Sequence, residues 1–478
     1  MDESVNNDNK IRNNAASGFS ALELSQKGSE NIPDEYITSK HLIYNSPATL
    51  AFNSPGAEGF GVKRAGLAVP GSVMLIVSPG CCGRNTSDIT RIKGYEDRFF
   101  YLEIDNTDLV TGRHLKKIPD AVKEIVDFCG KKPSLVMICI TCVDALLGTD
   151  MERVAAKAEE KAGIPVRPCY MYALTREGRK PPMVQVRQSL YSLLPKQKRR
   201  GTSVNILGFF APVFESSELF LLLKSAGVKT IRQISTCEKI DEFYKMGEAN
   251  FNLVVNREAE AAADDLQKRL GIPSIELQRF YDPDRIEKQY RALGRALGIT
   301  EQEEGENDNL PENLGRILWN SRLGKKEALD SINKLKKDFP KISFSIGEVI
   351  NANPFELAVT LVEHGFVVKE IFANPDPDFF YYIDKLAALS PGTMIYSNME
   401  PTMLYYDIDS DEASEGDMYK CRVTLGKDAA FYHPSYLHVN WNSDEQPFGF
   451  DGCRKLFDAI YQALNSGREN LIFKGVRR

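Results

Sequence analysis

Short runs of β-branched and apolar residues alternate along most of the chain with stretches whose apolar positions recur every three or four residues. The first pattern fits buried strands and the second fits amphipathic helices. Their alternation predicts βαβ units and parallel sheets with helices on both faces. In the first block Val73–Val77 is a buried-type strand followed by the turn Ser78-Pro79-Gly80. Two further strands span Phe99–Glu103 and Leu135–Ile140, with a helix over Leu115–Phe128 between them. A second block opens with Val204–Phe209 and a helix over Ser217–Ala226. A third opens with Ile342–Ile346 and a helix over Pro354–His364, where Pro suits a helix start.

The last two blocks share a layout. Glu218-Leu219 is followed by Gly227 and a β-branched strand near Thr230-Ile231; Glu356-Leu357 is followed at the same interval by Gly365 and Phe366–Val368. A strand, a helix, a Gly C-cap and a second strand recur in order. The expected fold class is therefore α/β, with three Rossmann-like doubly wound parallel-sheet domains. They span residues 41–200, 201–305 and 306–478, with the acidic stretch Glu301 to Asn309 as the second linker. Residues 1–40, rich in Asn, Ser, Asp and Glu, read as a mobile arm.

Open α/β sheets bind ligands beyond the carboxyl ends of their strands. Cys81 and Cys82 follow the first strand, Cys142 follows Leu135–Ile140, and Asn256 follows a strand over Phe251–Val255. These positions can converge although far apart in sequence.

Composition narrows the chemistry. The 478 residues are 42% hydrophobic and 26% charged, as in ordinary globular proteins, and the net charge of −6 argues against a general polyanion binder. The basic run Lys196–Arg200 reads as a solvated linker. No apolar stretch reaches the roughly 18 residues of a bilayer span, and the N-terminus has no apolar signal core, so the expected location is the cytoplasm. Nine cysteines, an odd number, point to buried thiols, metal ligands or redox groups rather than a disulfide framework. A tetrahedral zinc site needs a second close pair, which Cys139–Cys142 lacks. A redox C-x-x-C pair opens a helix, whereas Cys139 lies inside an apolar strand and faces opposite to Cys142, as a core residue. Around Cys81 and Cys82 the run Ser-Pro-Gly-Cys-Cys-Gly offers small residues and free amides, which a cluster's sulfides need for close approach. Burial as small hydrophobes is the alternative. There is no G-x-x-x-x-G-K-[ST], G-x-G-x-x-G or G-x-S-x-G motif, so neither NAD nor ATP is expected on this chain by those routes.

At these residues the sequence resembles the nitrogenase component 1 superfamily. That group includes the nitrogenase α and β subunits, cofactor-assembly homologues, dark-operative protochlorophyllide reductase, the nickel-sirohydrochlorin reductive cyclase and methylthio-alkane reductase. Pro55–Gly59 followed by Ser78–Cys82 is similar to the family's first cluster loops, and Asp105–Leu115 to its acidic–apolar–Gly–Leu stretch. Thr141-Cys142-Val143-Asp144-Ala145-Leu146-Leu147-Gly148-Thr149-Asp150 is like its T-C-x-x-x-L-I-G-D-D. Phe251–Val254 with Gly271-Ile272-Pro273 is similar to its second domain.

The resemblance implies that Cys82 and Cys142 are two of three cluster cysteines. The first family cysteine falls near Phe52 or Asn53, and Cys81 is the local substitute. Two protomers giving two thiolates each would complete a [4Fe–4S] cluster at the dimer interface, with Gly80 beside it. The family's cofactor cysteine aligns with Asn256 and its histidine with His438, so a conventional iron–molybdenum cofactor is not expected. A second metal cofactor of unspecified kind, or a substrate, would lie in the interdomain cleft near these two residues, which could orient it or donate a proton. The implied partners are a homologous subunit, in a homodimer or heterodimer, and a separate ATP-dependent P-loop iron protein as electron donor. Neither nucleic acid nor membrane is expected. The leading expectation is a nitrogenase-like reductase; a scaffold for metal-cofactor assembly and, third, a redox sensor stand beside it.

Overall fold

The computed structural model describes residues 15–33, 36, 61–80, 90, 94–140, 148–170, 180–298, 312–406, 421–434, 436–442 and 446–466, with backbone alone at 62, 63, 140, 312–323 and 421. In chain order the strands are β1 (Phe19–Ser20), β2 (Ser72–Ser78), β3 (Phe99–Glu103), β4 (Leu135–Ile140), β5 (Val166–Tyr170), β6 (Arg200–Leu207), β7 (Thr230–Arg232), β8 (Ala249–Val254), β9 (Ser274–Glu276), β10 (Ile342–Gly347), β11 (Val367–Phe372), β12 (Met394–Tyr396), β13 (Cys421–Leu425) and β14 (Leu437–Val439). They form three sheets, ordered β3-β2-β4-β5, β7-β6-β8-β9 and β1-β12-β11-β10-β13-β14. Every pairing is parallel except that of β1 with β12. The fold is thus α/β with parallel doubly wound sheets, as the alternating pattern predicts.

The central strands are the apolar runs of the sequence because both their faces are covered. All seven residues of β2 and all six of β10 are buried, whereas the edge strand β3 is only partly so. Both predicted strand–helix–Gly–strand units are present. Helices Glu218–Ser225 and Pro354–Glu363 are followed by Gly227 and Gly365 at φ 83° and 82°, the left-handed turn that a Cβ would strain.

The chain divides into two compact units, one of Glu58–Pro212 with Gly227–Gln278, the other of Met1–Ala57, Val213–Ala226 and Arg279–Arg478. In the first unit, one apolar core runs from Met74, Met137 and Cys139 through Leu190 and Tyr191 to Phe243, Met246 and Leu266, so it joins the first and second sheets. A second core covers the opposite face of the first sheet, with Ile118, Val122 and Val154. In the second unit, helices Glu218–Ser225 and Pro283–Ala296 pack with Glu312–Asp338 and Gly449–Ser466. The composition near residues 200 and 305 does not mark this division, because it follows buried contacts rather than linkers.

Residues 15–33, which composition assigns to a mobile arm, extend the third sheet instead. Phe19 and Ser20 pair with Ile395 and Met394, and a capping box at Ser20–Glu23 starts the helix Ala21–Lys27, whose Ala21 and Leu24 are fully buried. Among the described residues no helix is long and apolar enough to cross a membrane.

In the second unit, Glu218 accepts a hydrogen bond from the Asp451 amide at 3.1 Å, while its other oxygen is buried without a partner. Burial pushes its carboxyl up to about 7. A carboxyl raised in the folded state stabilises the fold fully below its unfolded value near 4.5 and loses that contribution as pH climbs through about 7. Glu218→Gln should therefore flatten the stability profile over this window. Urea unfolding at pH 8 should find it more stable than wild type by up to about 3 kcal/mol. Equal stability at both ends of the range would contradict this.

Candidate functional site

Strand order reverses between β2 and β4, between β6 and β8, and between β10 and β13. At such switch points the crossovers go to opposite faces and a crevice opens at the carboxyl edge. The predicted site residues of the first two sheets follow strands flanking these points.

At the first point Val77 pairs with Ile140 and Ser78 with Glu103, so three chain segments leave the sheet side by side. The buried Ser78 hydroxyl donates to the Tyr101 phenol oxygen at 3.0 Å, and that phenol donates to the Pro79 carbonyl at 2.6 Å. Gly80 comes next; a Cβ there would lie 3.0 Å from Glu103 Oε1. Cys81, Cys82 and Cys142 lie outside the described residues. Cys139 is fully buried in the core, as its strand position implies.

After β3, Asp105 caps the helix Asn106–Thr111 by accepting from the Asp108 amide at 2.7 Å, and Asp108 reciprocates at 3.4 Å. The Asp108 carboxylate is buried against Lys117 Nζ (2.6 Å) and Arg113 Nε (3.2 Å); the Lys117 hydrogen bond in particular holds it below the usual carboxylate range. The same short helix presents Val110 to solvent, 88% exposed.

Asn256 follows β8 at the second point. Its side chain accepts from the Glu258 amide at 2.9 Å and caps the turn Arg257–Ala259. Its backbone lies against Gly208, where a Cβ would stand 2.8 Å from both Asn256 N and Cβ. The buried Arg187 fixes this pair. Its guanidinium donates twice to the Gly208 carbonyl, at 2.9 and 2.6 Å, pairs with Glu258 at 2.9 Å and stacks over Phe210 at 4.6 Å. Nothing in the pattern of its helix, Pro182–Tyr191, distinguishes Arg187 from a surface arginine.

The third sheet carries His438 on β14, in register with Thr424 on β13. The Thr424 hydroxyl donates to the Leu437 carbonyl at 3.4 Å, and its oxygen lies 3.2 Å from His438 Nδ1. This arrangement assigns the imidazole proton to Nδ1 and leaves Nε2 with its lone pair. Nε2 is buried and has no hydrogen-bond partner. Burial, helped by the Lys427 charge, lowers His438 to about 4, so the ring is neutral at pH 7. The expectation of a histidine poised to donate a proton at neutral pH therefore gives way to a neutral ring with one open nitrogen, the form that binds metals or accepts a hydrogen bond. At the β10/β13 point the buried Asp428 carboxylate accepts from the Glu348 and Val349 amides, at 2.8 and 3.1 Å, and from Asn398 Nδ2 at 3.0 Å. Sequence reasoning passed over Asp428; its place two residues beyond a strand-ending glycine is the signal that marks it.

Asn256 and His438 belong to different compact units. Among the described residues no group of three His, Cys, Asp or Glu side chains comes together as a metal site.

Comparison with known proteins adds to this geometry. The family described as Nitrogenase component 1 type Oxidoreductase matches residues 58–319, more than half of the chain. The nitrogenase iron-molybdenum cofactor biosynthesis protein NifE of Clostridium pasteurianum is 24% identical over 334 residues, 61% of this chain and 72% of that protein. Its counterpart in Nostoc sp. is 25% identical over 42% of each chain, and the nitrogenase molybdenum-iron protein alpha chain of C. pasteurianum 25% identical over 47% of this chain and 42% of that one. The match thus spans less than half the length of most of these curated relatives. A solved structure titled nitrogenase Cp1 at pH 6.5 superposes with a TM-score of 0.64 at 16% identity, covering 93% of this chain and 99% of that one, a likeness of fold.

Two outcomes follow from the geometry. Gly208→Ala drives a methyl group into Asn256 and should cost about 2 kcal/mol in urea unfolding; a neutral effect would mean that the β6 exit is not held as described. His438 should titrate by NMR near pH 4, with folding stability eroding as the pH falls from about 6.5 towards 4. A midpoint above 6 would contradict the buried, neutral ring.

Proposed function

The chain belongs to the nitrogenase component 1 type oxidoreductases, and we propose that it is the catalytic component of a nitrogenase-like reductase whose iron–sulfur cluster is gripped by Cys82 and Cys142, with Cys81 as third thiol. The observation that carries this reading is the pairing of Val77 with Ile140 at the first switch point. Neighbouring strands stand about 4.8 Å apart. From that edge Cys142 is two residues on and Cys82 five, at most roughly 7 and 17 Å of extended chain. Both thiols can therefore reach one centre at the mouth of the first crevice.

The residues around that edge suit such a centre. Thiolates are the soft ligands that iron–sulfur clusters require. The Ser78–Tyr101–Pro79 hydrogen bonds fix the path into the cysteine pair, and Gly80 brings no side chain to crowd it. When bound, a [4Fe–4S] cluster supplies single-electron storage and transfer. Two protomers, alike or homologous, would each contribute their thiolates at the subunit boundary. A separate P-loop iron protein would deliver the electrons, since this chain has no phosphate loop. The exposed Val110, beside the buried Asp108–Lys117 pair, offers an apolar contact on a rigid base for that docking.

His438 and Asn256 are the proposed contacts for a substrate or a second metal centre. His438 can bind a metal or accept a hydrogen bond through Nε2, with Thr424 holding the ring orientation. Asn256 orients rather than ligates, because its carbonyl oxygen already caps the following turn. The protein would act in the cytoplasm.

A second reading, a scaffold on which a metal cofactor is assembled, is favoured by the relatives named for cofactor biosynthesis and by an amide rather than a thiolate at position 256. Anaerobically purified protein should contain iron and acid-labile sulfide and give a cluster EPR signal on reduction. Cys82→Ala and Cys142→Ala should abolish that signal while Cys139→Ala, a core change, preserves it; an unchanged spectrum in the first two would overturn the ligand assignment. With reduced iron protein and ATP, repeated turnover identifies the reductase and a single cluster transfer identifies the scaffold.

A further inference from the structure

The third sheet holds a second cluster of reactive groups that the reading above does not use. Ser345 on β10 and Glu370 on β11 are register partners. The Glu370 carboxylate accepts from the Ser345 hydroxyl at 3.2 Å and from His433 Nε2 at 2.6 Å through one oxygen, and from the Tyr406 phenol at 2.8 Å through the other. His433 is fully buried; its Nε2 lies 3.2 Å from the Tyr406 oxygen, and its Nδ1 has no hydrogen-bond partner. The His433 Nε2–H donates to Glu370. Around the phenol the rings close in. The Tyr406 centroid is 5.3 Å from Tyr396, 5.1 Å from Tyr432 and 5.3 Å from Phe372, and His433 stacks on Tyr436 at 4.4 Å with 5° between planes.

Aromatic packing accounts for the rings but not for a carboxylate and an imidazole brought to one phenol, since buried polar groups cost desolvation. A phenol that loses one electron becomes a strong acid, and oxidation is eased when a base already holds its proton. Glu370 is such a base, fixed by His433 and Ser345.

We propose that Tyr406 is a redox-active tyrosine, with Tyr396 and Tyr432 as its relay partners, that yields one electron to a diffusible one-electron oxidant. The oxidant takes one electron from the Tyr406 ring. The phenol O–H bond breaks, the proton crosses the 2.8 Å hydrogen bond to Glu370 Oε1, and a carboxylic O–H bond forms. A neutral tyrosyl radical remains. One electron from a low-potential reductant and the same proton, returned from Glu370, restore the phenol. Tyr406 is only partly buried, so an oxidant at the surface can draw on it.

The test is flash oxidation of the full-length protein with photogenerated ruthenium(III) tris-bipyridine, read by transient absorption and EPR. Wild type should form a neutral tyrosyl radical at a rate independent of buffer concentration, because the proton stays inside. Tyr406→Phe keeps the packing and should lose most of the signal; Glu370→Gln should slow its formation and make the rate depend on buffer base. Tyr381→Phe, which removes the exposed phenol of Tyr381 (62% exposed), should leave the signal intact. Circular dichroism confirms that each variant is folded. A radical of undiminished yield in Tyr406→Phe, or one lost in Tyr381→Phe, overturns the proposal.

Discussion

Parallel pairing with a reversal of strand order is the constraint on which this molecule depends. Parallel strands must be joined by crossovers, and right-handed crossovers send the helices to one face or the other according to the direction of travel. Where the direction changes, two strands end side by side and their crossovers leave to opposite faces. All three sheets do this, at β2/β4, β6/β8 and β10/β13. Each reversal brings the ends of sequence-distant strands to one edge, and each such edge carries chemically distinctive residues.

A loop leaving a buried strand exposes backbone groups that cannot stay unpaired. The three sheets meet this need with different charges. At the first, beyond the edge strand β3, the buried Asp108 takes two cations and starts a helix through its capping box with Asp105. At the second, a buried cation meets a carbonyl, as Arg187 donates twice to Gly208. At the third, a buried anion meets amides, as Asp428 accepts from Glu348 and Val349. In each case a side chain of matching polarity completes the hydrogen bonding and stiffens the exit. Burial opposes the charge on Arg187 and Asp428, and the local partners offset part of that penalty. Rigid exits are what a cluster or substrate site requires, since ligand geometry must be held to fractions of an ångström.

Much of this frame was legible in the chain. Strands such as Val73–Val77 and Ile342–Ile346 announce themselves because burial on both faces leaves no polar position to interrupt them. Gly227 and Gly365 were readable because a left-handed turn after a helix selects glycine. The division into two units was not, because the core through Leu190, Phe243 and Leu266 is built from residues that look like any other apolar position. Polar composition makes residues 1–40 read as an arm, yet within 15–33 a few apolar anchors, Ala21, Leu24 and Ile32, suffice to dock the chain. Arg187 and the Glu370–His433 pair were invisible for a further reason. Their meaning lies in partners brought by the fold from 21 to 71 residues away, for Arg187 at Gly208 and Glu258, and 63 residues away for His433. His438, by contrast, is singled out by resemblance alone, and its environment adds a detail that sequence could not, a buried, neutral ring with an open nitrogen.

The central claim is that Cys82 and Cys142 from one sheet edge hold iron and sulfide together. Mössbauer spectroscopy on iron-enriched protein isolated without oxygen reads this most directly. The account predicts the quadrupole doublets of a [4Fe–4S] cluster, reversible on reduction, with iron in proportion to the dimer. A spectrum showing only adventitious high-spin iron, or none, would contradict it.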